Sequence, residues 1–292
     1  MPAFTYERPS TIEAAVEMMG SAGAYALGGG TDLIPQLHER RRSARLIVDL
    51  KHVPDLTAIT RLDDGGWRIG AAASVRRIGD DAGLRRAYPG LIEAARLIGS
   101  LQIQSRASLG GNLANGAPSA DAVPLLICLG AMAEIAGPTQ RRHLPVESIP
   151  EGPGRSILRP GEVIVALLLP ARSPRSAARY LRFTPRREMD IAIAGSGVAI
   201  ELGDGGEIIK ARITLASVAP VPLRAPSAEA HLVGARPDVS VLAEAARLAA
   251  SEARPISDTR GSADYRRELV GVLTRRALEA CIGEATARGA GA

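Results

Sequence analysis

The chain has 292 residues, 46% of them hydrophobic, which is enough for a substantial core and for two domains. Its net charge is +5, but the arginines are scattered in pairs such as Arg41-Arg42, Arg76-Arg77 and Arg141-Arg142, and aromatic residues are only 3%, so no nucleic-acid partner is expected. The best apolar run, Val123 to Ala133, falls short of the ~20 residues that cross a bilayer, and the N-terminus MPAFTYERPS carries charges and prolines where a secretory signal needs an apolar block, so a cytoplasmic protein with no membrane span is expected.

In chain order, Tyr25 to Leu27 and Leu46 to Leu50 read as short buried strands. Between them, Thr31 to about Arg40 has helical spacing, with Pro35 placed in the first turn. Trp67 to Ser74 reads as a strand after the turn Asp63-Asp64-Gly65-Gly66, and Leu91 to Leu101 as an amphipathic helix. A helix is expected to start at Ser119 to Asp121, and Glu162 to Leu169 is strand-like up to Pro170. The stretch Pro170 to Ala177, PARSPRSA, interrupts the apolar pattern and marks a domain boundary. Beyond it, Tyr180 to Phe183, Ala192 to Leu202 and Ile208 to Val218 read as three antiparallel strands, and Ser227 to Ala287 is helical by period.

Two segments concentrate backbone freedom. The first is Tyr25 to Gln36, YALGGGTDLIPQ, and the second is Ala107 to Asp121, ASLGGNLANGAPSAD. In the first, a strand, residues able to take φ > 0 and a helix start expose backbone N–H groups toward one point, as a phosphate requires. It fails GxGxxG at the third glycine, and no GxxxxGK[ST] is present, so neither fingerprint applies. On residues alone a tight turn with Thr31 or Asp32 as helix cap serves equally well, and Asp121 reads equally as a helix cap. Two such turns, each presenting N–H groups, fit a ligand with two adjacent phosphates.

These residues resemble the FAD-binding medium subunit of the molybdenum hydroxylases, the family of bacterial xanthine dehydrogenase and aerobic carbon monoxide dehydrogenase flavoproteins. LGGGTDLIP is similar to that family's first flavin loop, SLGGNLANGAPSAD to its second, and Gln102-Ile103-Gln104 stands where the family has QIR or QIQ. RFTPRREMDIA from Arg182, ASVAPVPLRA from Ala216 and SDTRGSADYRRELVGVLTRRAL from Ser257 come next in the family's order. The resemblance covers nearly the whole chain. It implies an α+β architecture: a two-lobed FAD-binding domain of the PCMH (vanillyl-alcohol-oxidase-like) type over residues 1–175, with lobes of about 1–55 and 56–175, then a C-terminal domain of a small antiparallel sheet plus helices over 176–292.

Carried across, the resemblance implies that Leu27, Gly28, Gly29, Gly30, Thr31 and Asp32 hold the FAD diphosphate from one side and Ser108, Gly110, Gly111 and Asn112 from the other. Asp121 would bind further along the cofactor, Ile164 or Val165 would offer backbone near its edge, and Arg182 would approach the flavin ring where some relatives have lysine. Unlike lysine, arginine is permanently cationic and cannot lend a proton. Asp258, Arg260, Tyr265 and Arg266 read as a local network docking the last helix, and Arg186-Arg187-Glu188 likewise as structural, the alternative being a charged loop beside the flavin that sets access for an electron acceptor.

Other chemistries lack residues. No GxSxG, HExxH or CxxC occurs, and His38, His52, His143 and His231 are isolated. No catalytic or metal-ligating residue is therefore assigned, and redox chemistry would rest on the flavin. The resemblance implies an electron-transfer subunit that takes electrons from 2Fe-2S clusters of a small subunit and passes them to an acceptor. The molybdenum cofactor would reside in a molybdopterin-binding large subunit, the assembly being a heterotrimer or a dimer of heterotrimers. Two alternatives stay open: a self-sufficient flavin oxidoreductase of the same domain type, and a nucleotide-binding scaffold without redox activity.

Overall fold

The computed structural model describes residues 3–290. Its first sheet is parallel, with Leu46–Asp49 between Thr5–Glu7 and Ala24–Leu27. The central strand carries Ile47 and Val48 on opposite faces, and each face receives a helix. Leu27, Leu37, Ala44 and Ile47 form a small cluster under the helix Leu33–His38. On the other face Ile12, Ala15 and Val16 of the helix Ile12–Met19 meet Val48 and Leu50, and the same cluster takes in Leu56, Ala72, Val163 and Val165. A shared apolar layer therefore joins the first 55 residues to the strand Val163–Leu169 and its neighbours.

The second sheet is antiparallel, in the order Ile59–Arg61, Trp67–Gly70, Val163–Leu169, Met132–Ala136, Arg141–Pro145. Val163–Leu169 is buried almost throughout, which explains its unbroken apolar sequence. Its register slips between Ile164 and Ala166, and Val165 in that bulge accepts the Ala71 N–H at 2.9 Å. The strand read as Trp67 to Ser74 accordingly stops at Gly70; Ala71 to Ala73 turn, and Ser74 caps the helix Val75–Asp80 by accepting from Arg77 N–H. The helix read as Leu91 to Leu101 is two pieces, Pro89–Arg96 and Leu101–Gln104, because Gly99 takes φ = 57° between them. Gln104 braces that break, donating to Arg96 O at 2.7 Å and Ile98 O at 3.2 Å.

The third sheet is antiparallel, Ser176–Phe183, Ala194–Leu202, Ile208–Ala216, with a short fourth strand, Leu223–Arg224, that the pattern did not reveal. The helical tail is three helices, Pro226–Leu232, Val239–Glu252 and Ala263–Ala290, interrupted around Pro255. Arg266, buried in the last helix, donates to Ile193 O at 2.7 Å, Ser217 O at 3.2 Å and Asp258 Oδ1 at 2.7 Å. Tyr265 meets Phe183 edge-on, whereas Arg260 joins this network only through its backbone N–H.

The sheet around Ser176–Phe183 sits hard against the preceding part of the chain. Ala178, Tyr180 and Ala216 belong to the main apolar cluster with Leu91, Leu113 and Leu126. Gly90 makes the tightest contact, since a Cβ there would lie 1.9 Å from Ala178 O. Gly90→Ala is therefore expected to lower stability by about 1–3 kcal/mol through overpacking, read as a fall in the urea midpoint at unchanged slope; a wild-type midpoint would show that this junction yields.

Candidate functional site

A cavity of about 650 Å3 opens between the parallel sheet and the first antiparallel sheet. Its wall includes Gly28, Gly29, Gly30, Thr31 and Asp32 from one loop, Ser108, Gly110, Gly111 and Asn112 from another, and Ile164 from the bulged strand. The loops touch. A Cβ on Gly29 would lie 2.4 Å from Arg106 O, and one on Gly28 would lie 3.0 Å from Ser108 Oγ. Gly30 takes φ = 79°, turning the chain into the helix Leu33–His38.

The two loops do different work. The backbone N–H groups of Gly28, Gly29, Gly30, Thr31 and Asp32 donate to no atom among the described residues, so one short arc carries unused donors around a concavity. In the second loop three are spent, Gly110 donating to Ala71 O at 3.1 Å, Gly111 to Ser108 Oγ at 3.1 Å and Asn112 to Ser108 O at 2.9 Å, while the Ser108 N–H donates to no atom among the described residues. The expectation that both loops present N–H groups is narrowed here: Ser108 caps its own helix and takes the Gly111 and Asn112 donors, Ala71 takes that of Gly110, and of the four named residues Ser108 alone keeps its N–H. What this loop offers is shape, because a Cβ on Gly110 would strike Ala71, and one unsatisfied atom, Asn112 Oδ1, which is buried without a partner among the described residues.

Asp32 stands at the cap position of Leu33–His38, but its side chain makes no capping bond. Its carboxyl is reachable from the cavity mouth while protein crowds it, and that desolvation raises its pKa. Leu27 does not line the cavity; its side chain turns into the small cluster with Leu37 and Ile47. Ile164 likewise buries its side chain in the main core, leaving backbone to face the cavity.

Asp121 and Arg182 lie outside this wall. The next helix after Asp121 is Val123–Cys128 with Ala122 at its cap, so Asp121 is not a cap residue. Its Oδ2 instead accepts from Arg182 at 2.6 Å and its Oδ1 from the buried Tyr180 hydroxyl at 3.3 Å. Burial pushes the Asp121 carboxyl up to about 6, against the opposing pull of Arg182. Arg182 borders a second cleft with Arg187, Glu188, Ser100 and Gln102. Residues that the sequence reading did not single out also line the first cavity, among them Tyr25, Gln36, Arg42 and Asn115. The only sequence signal for them is adjacency to the glycine segments.

Residues 2–172 match the FAD binding domain found in molybdopterin dehydrogenases, and residues 179–281 match the CO dehydrogenase flavoprotein C-terminal domain. The chain belongs to the xanthine dehydrogenase and CO dehydrogenase flavoprotein (medium) subunit family. Within this flavoprotein family it is 34% identical to the carbon monoxide dehydrogenase medium chain of Afipia carboxidovorans, over 94% of this chain and 96% of that one. It is 30% identical to the xanthine dehydrogenase FAD-binding subunit of Escherichia coli O157:H7, over 96% and 97%. Among solved structures, a carbon monoxide dehydrogenase from Hydrogenophaga pseudoflava superposes with a TM-score of 0.92 at 31% identity, covering 98% of both chains. The family's members are FAD-binding oxidoreductase subunits of molybdenum hydroxylases, and the two-part α+β architecture seen here is theirs. Among the described residues no helix is long and apolar enough to cross a membrane.

Because the folded Asp121 carboxyl titrates near 6, above its ordinary 3.8, the native state holds this proton more tightly than the unfolded chain. Its contribution to stability is therefore fully present below about 3.8 and fades as pH rises through about 6. Urea unfolding of wild type and Asp121→Asn at about pH 5 and about pH 7.5 should show the wild-type advantage growing toward low pH; an equal difference at both would contradict this assignment.

Proposed function

We propose that this chain is the FAD-carrying electron-transfer subunit of a molybdenum-containing hydroxylase, with residues 1–175 as the FAD domain and 176–292 as the C-terminal domain. The observation that carries the reading is the arc of five unused N–H donors from Gly28 to Asp32, on residues that line a cavity of dinucleotide dimensions. A diphosphate would accept those bonds, while Asn112 and the packed glycines of the second loop would hold its far side. Bound FAD supplies the capacity to take up and release electrons.

The chain's own residues then have defined tasks. Gly28 and Gly29 let the two loops close on each other, and Ile164 presents backbone along the cofactor's edge. Arg182, fixed by Asp121, would set a permanent positive charge toward the ring without exchanging protons. The chain's two cysteines fall short of a four-cysteine cluster set, and no grouping of histidine, cysteine and carboxylate side chains among the described residues could complete one, which fits clusters borne by a partner. By analogy with the relatives, those partners are a 2Fe-2S small subunit and a molybdopterin-binding large subunit in a heterotrimer or a dimer of heterotrimers. Electrons would pass from the clusters to FAD and on to an external acceptor.

The test is the visible spectrum of the natively purified full chain, followed by release and identification of the chromophore. About one FAD per chain is expected, and Gly29→Ala, which forces the loops apart, should lower occupancy at least severalfold. A wild-type chain that stays colourless after FAD is added would overturn the proposal.

A further inference from the structure

Four charged side chains line the cavity: Asp32, Arg42, Arg159 and Glu162. Glu162 is satisfied, accepting from Arg142 at 3.1 and 2.8 Å and from the Arg159 N–H at 2.9 Å. Arg159 is exposed and lies in the field of Glu162. Asp32 is a carboxyl whose pKa desolvation raises, and it brings no positive charge. Arg42 differs from all three, being a half-buried cation with no carboxylate partner among the described residues.

Its contacts are weak. The guanidinium lies over the Tyr25 ring, 5.4 Å from the centroid, and one nitrogen donates to Gly154 O at 3.3 Å. Gln36 Nε2 makes a similarly long bond to Asn115 Oδ1, 3.4 Å, so on this side of the cavity both side-chain contacts lie near the length limit and neither acceptor is charged. A guanidinium partly withdrawn from water is poorly compensated by a neutral carbonyl and a ring face. It stands on the segment that leads out of Leu33–His38, the helix that begins directly after the five free N–H groups, and it shares their cavity. Backbone N–H groups bring only partial positive charge, whereas a diphosphate brings about two full negative charges. The missing counter-charge is available at Arg42.

We propose that Arg42 is the charge partner of the cofactor's diphosphate, exchanging the Gly154 carbonyl for phosphate oxygens when the dinucleotide is seated, with Tyr25 supporting the guanidinium from behind. This rests on the flavoprotein reading above and adds to it a positioning residue that the glycine loops alone do not contain. Arginine suits the task because its planar fork can hold two phosphate oxygens and rest on an aromatic face together.

The test is titration of the flavin-free full chain with FAD by flavin fluorescence, with ADP and adenosine as competitors. Arg42→Met is expected to raise the dissociation constants of FAD and ADP about 10- to 100-fold, the range of a hydrogen bond to a charged group, and to leave adenosine within about twofold. Arg42→Lys, which keeps the charge, should recover most of the loss. The inference is overturned if Arg42→Met binds FAD and ADP as wild type does. It is also overturned if adenosine weakens as much as ADP, because Arg42 would then act on the base or merely close the cavity. A wild-type chain that binds neither FAD nor ADP would sink the flavoprotein reading as well, which separates the two failures.

Discussion

The site depends on two backbones meeting without side chains between them. Gly29 rests against the carbonyl of Arg106 at a separation no Cβ could occupy, and Gly28 lies close against the Ser108 hydroxyl. This approach fixes the first loop in a conformation where its N–H groups have nowhere to donate inside the protein. A free loop would turn those donors to water or to its own carbonyls. Here the second loop, in which Ala71 and Ser108 take the donors of Gly110, Gly111 and Asn112, holds the first one open. One loop spends most of its hydrogen bonds inside the protein and the other keeps its own.

The surroundings serve the same constraint. The bulge at Val165 turns Ala71 toward the second loop, and Ala71 O then anchors Gly110. On the other side, Asp49 ends the central parallel strand by accepting from the Lys51 N–H, and Lys51 Nζ reaches Ala72 O at 2.9 Å. The floor of the cavity is thus tied from both sheets, whereas its roof, at Gln36 and Arg42, is held by long contacts to neutral acceptors. A rigid floor and a loosely fastened roof are what a ligand enclosed on most sides needs in order to enter.

Much of this was legible in the sequence, and for physical reasons. The short strands, the Gly28 to Asp32 turn and the buried run Val163 to Leu169 announce themselves because apolar runs bounded by glycine and proline have few other solutions. The ordered blocks alone point to the family. What stayed hidden was tertiary. Nothing local in SLGGN says that Ala71 O will take the Gly110 N–H, so both loops looked alike. Nothing near Asp121 says that Arg182, sixty-one positions on, will claim its carboxylate instead of a helix end. The unbroken helical period through Gly99 concealed a residue at φ = 57°, and Arg42 read as one more member of a surface pair.

The contact between Gly90 and Ala178 has a bearing on how this protein is made. Ala178, Tyr180 and Ala216 complete an apolar cluster whose other members come from earlier in the chain. During synthesis the N-terminal portion leaves the ribosome with that face uncovered, and it stays uncovered until the strand Ser176–Phe183 arrives. The two parts thus share a buried face, and a cut in the Pro170 to Arg175 connection that let them separate would expose apolar surface on both.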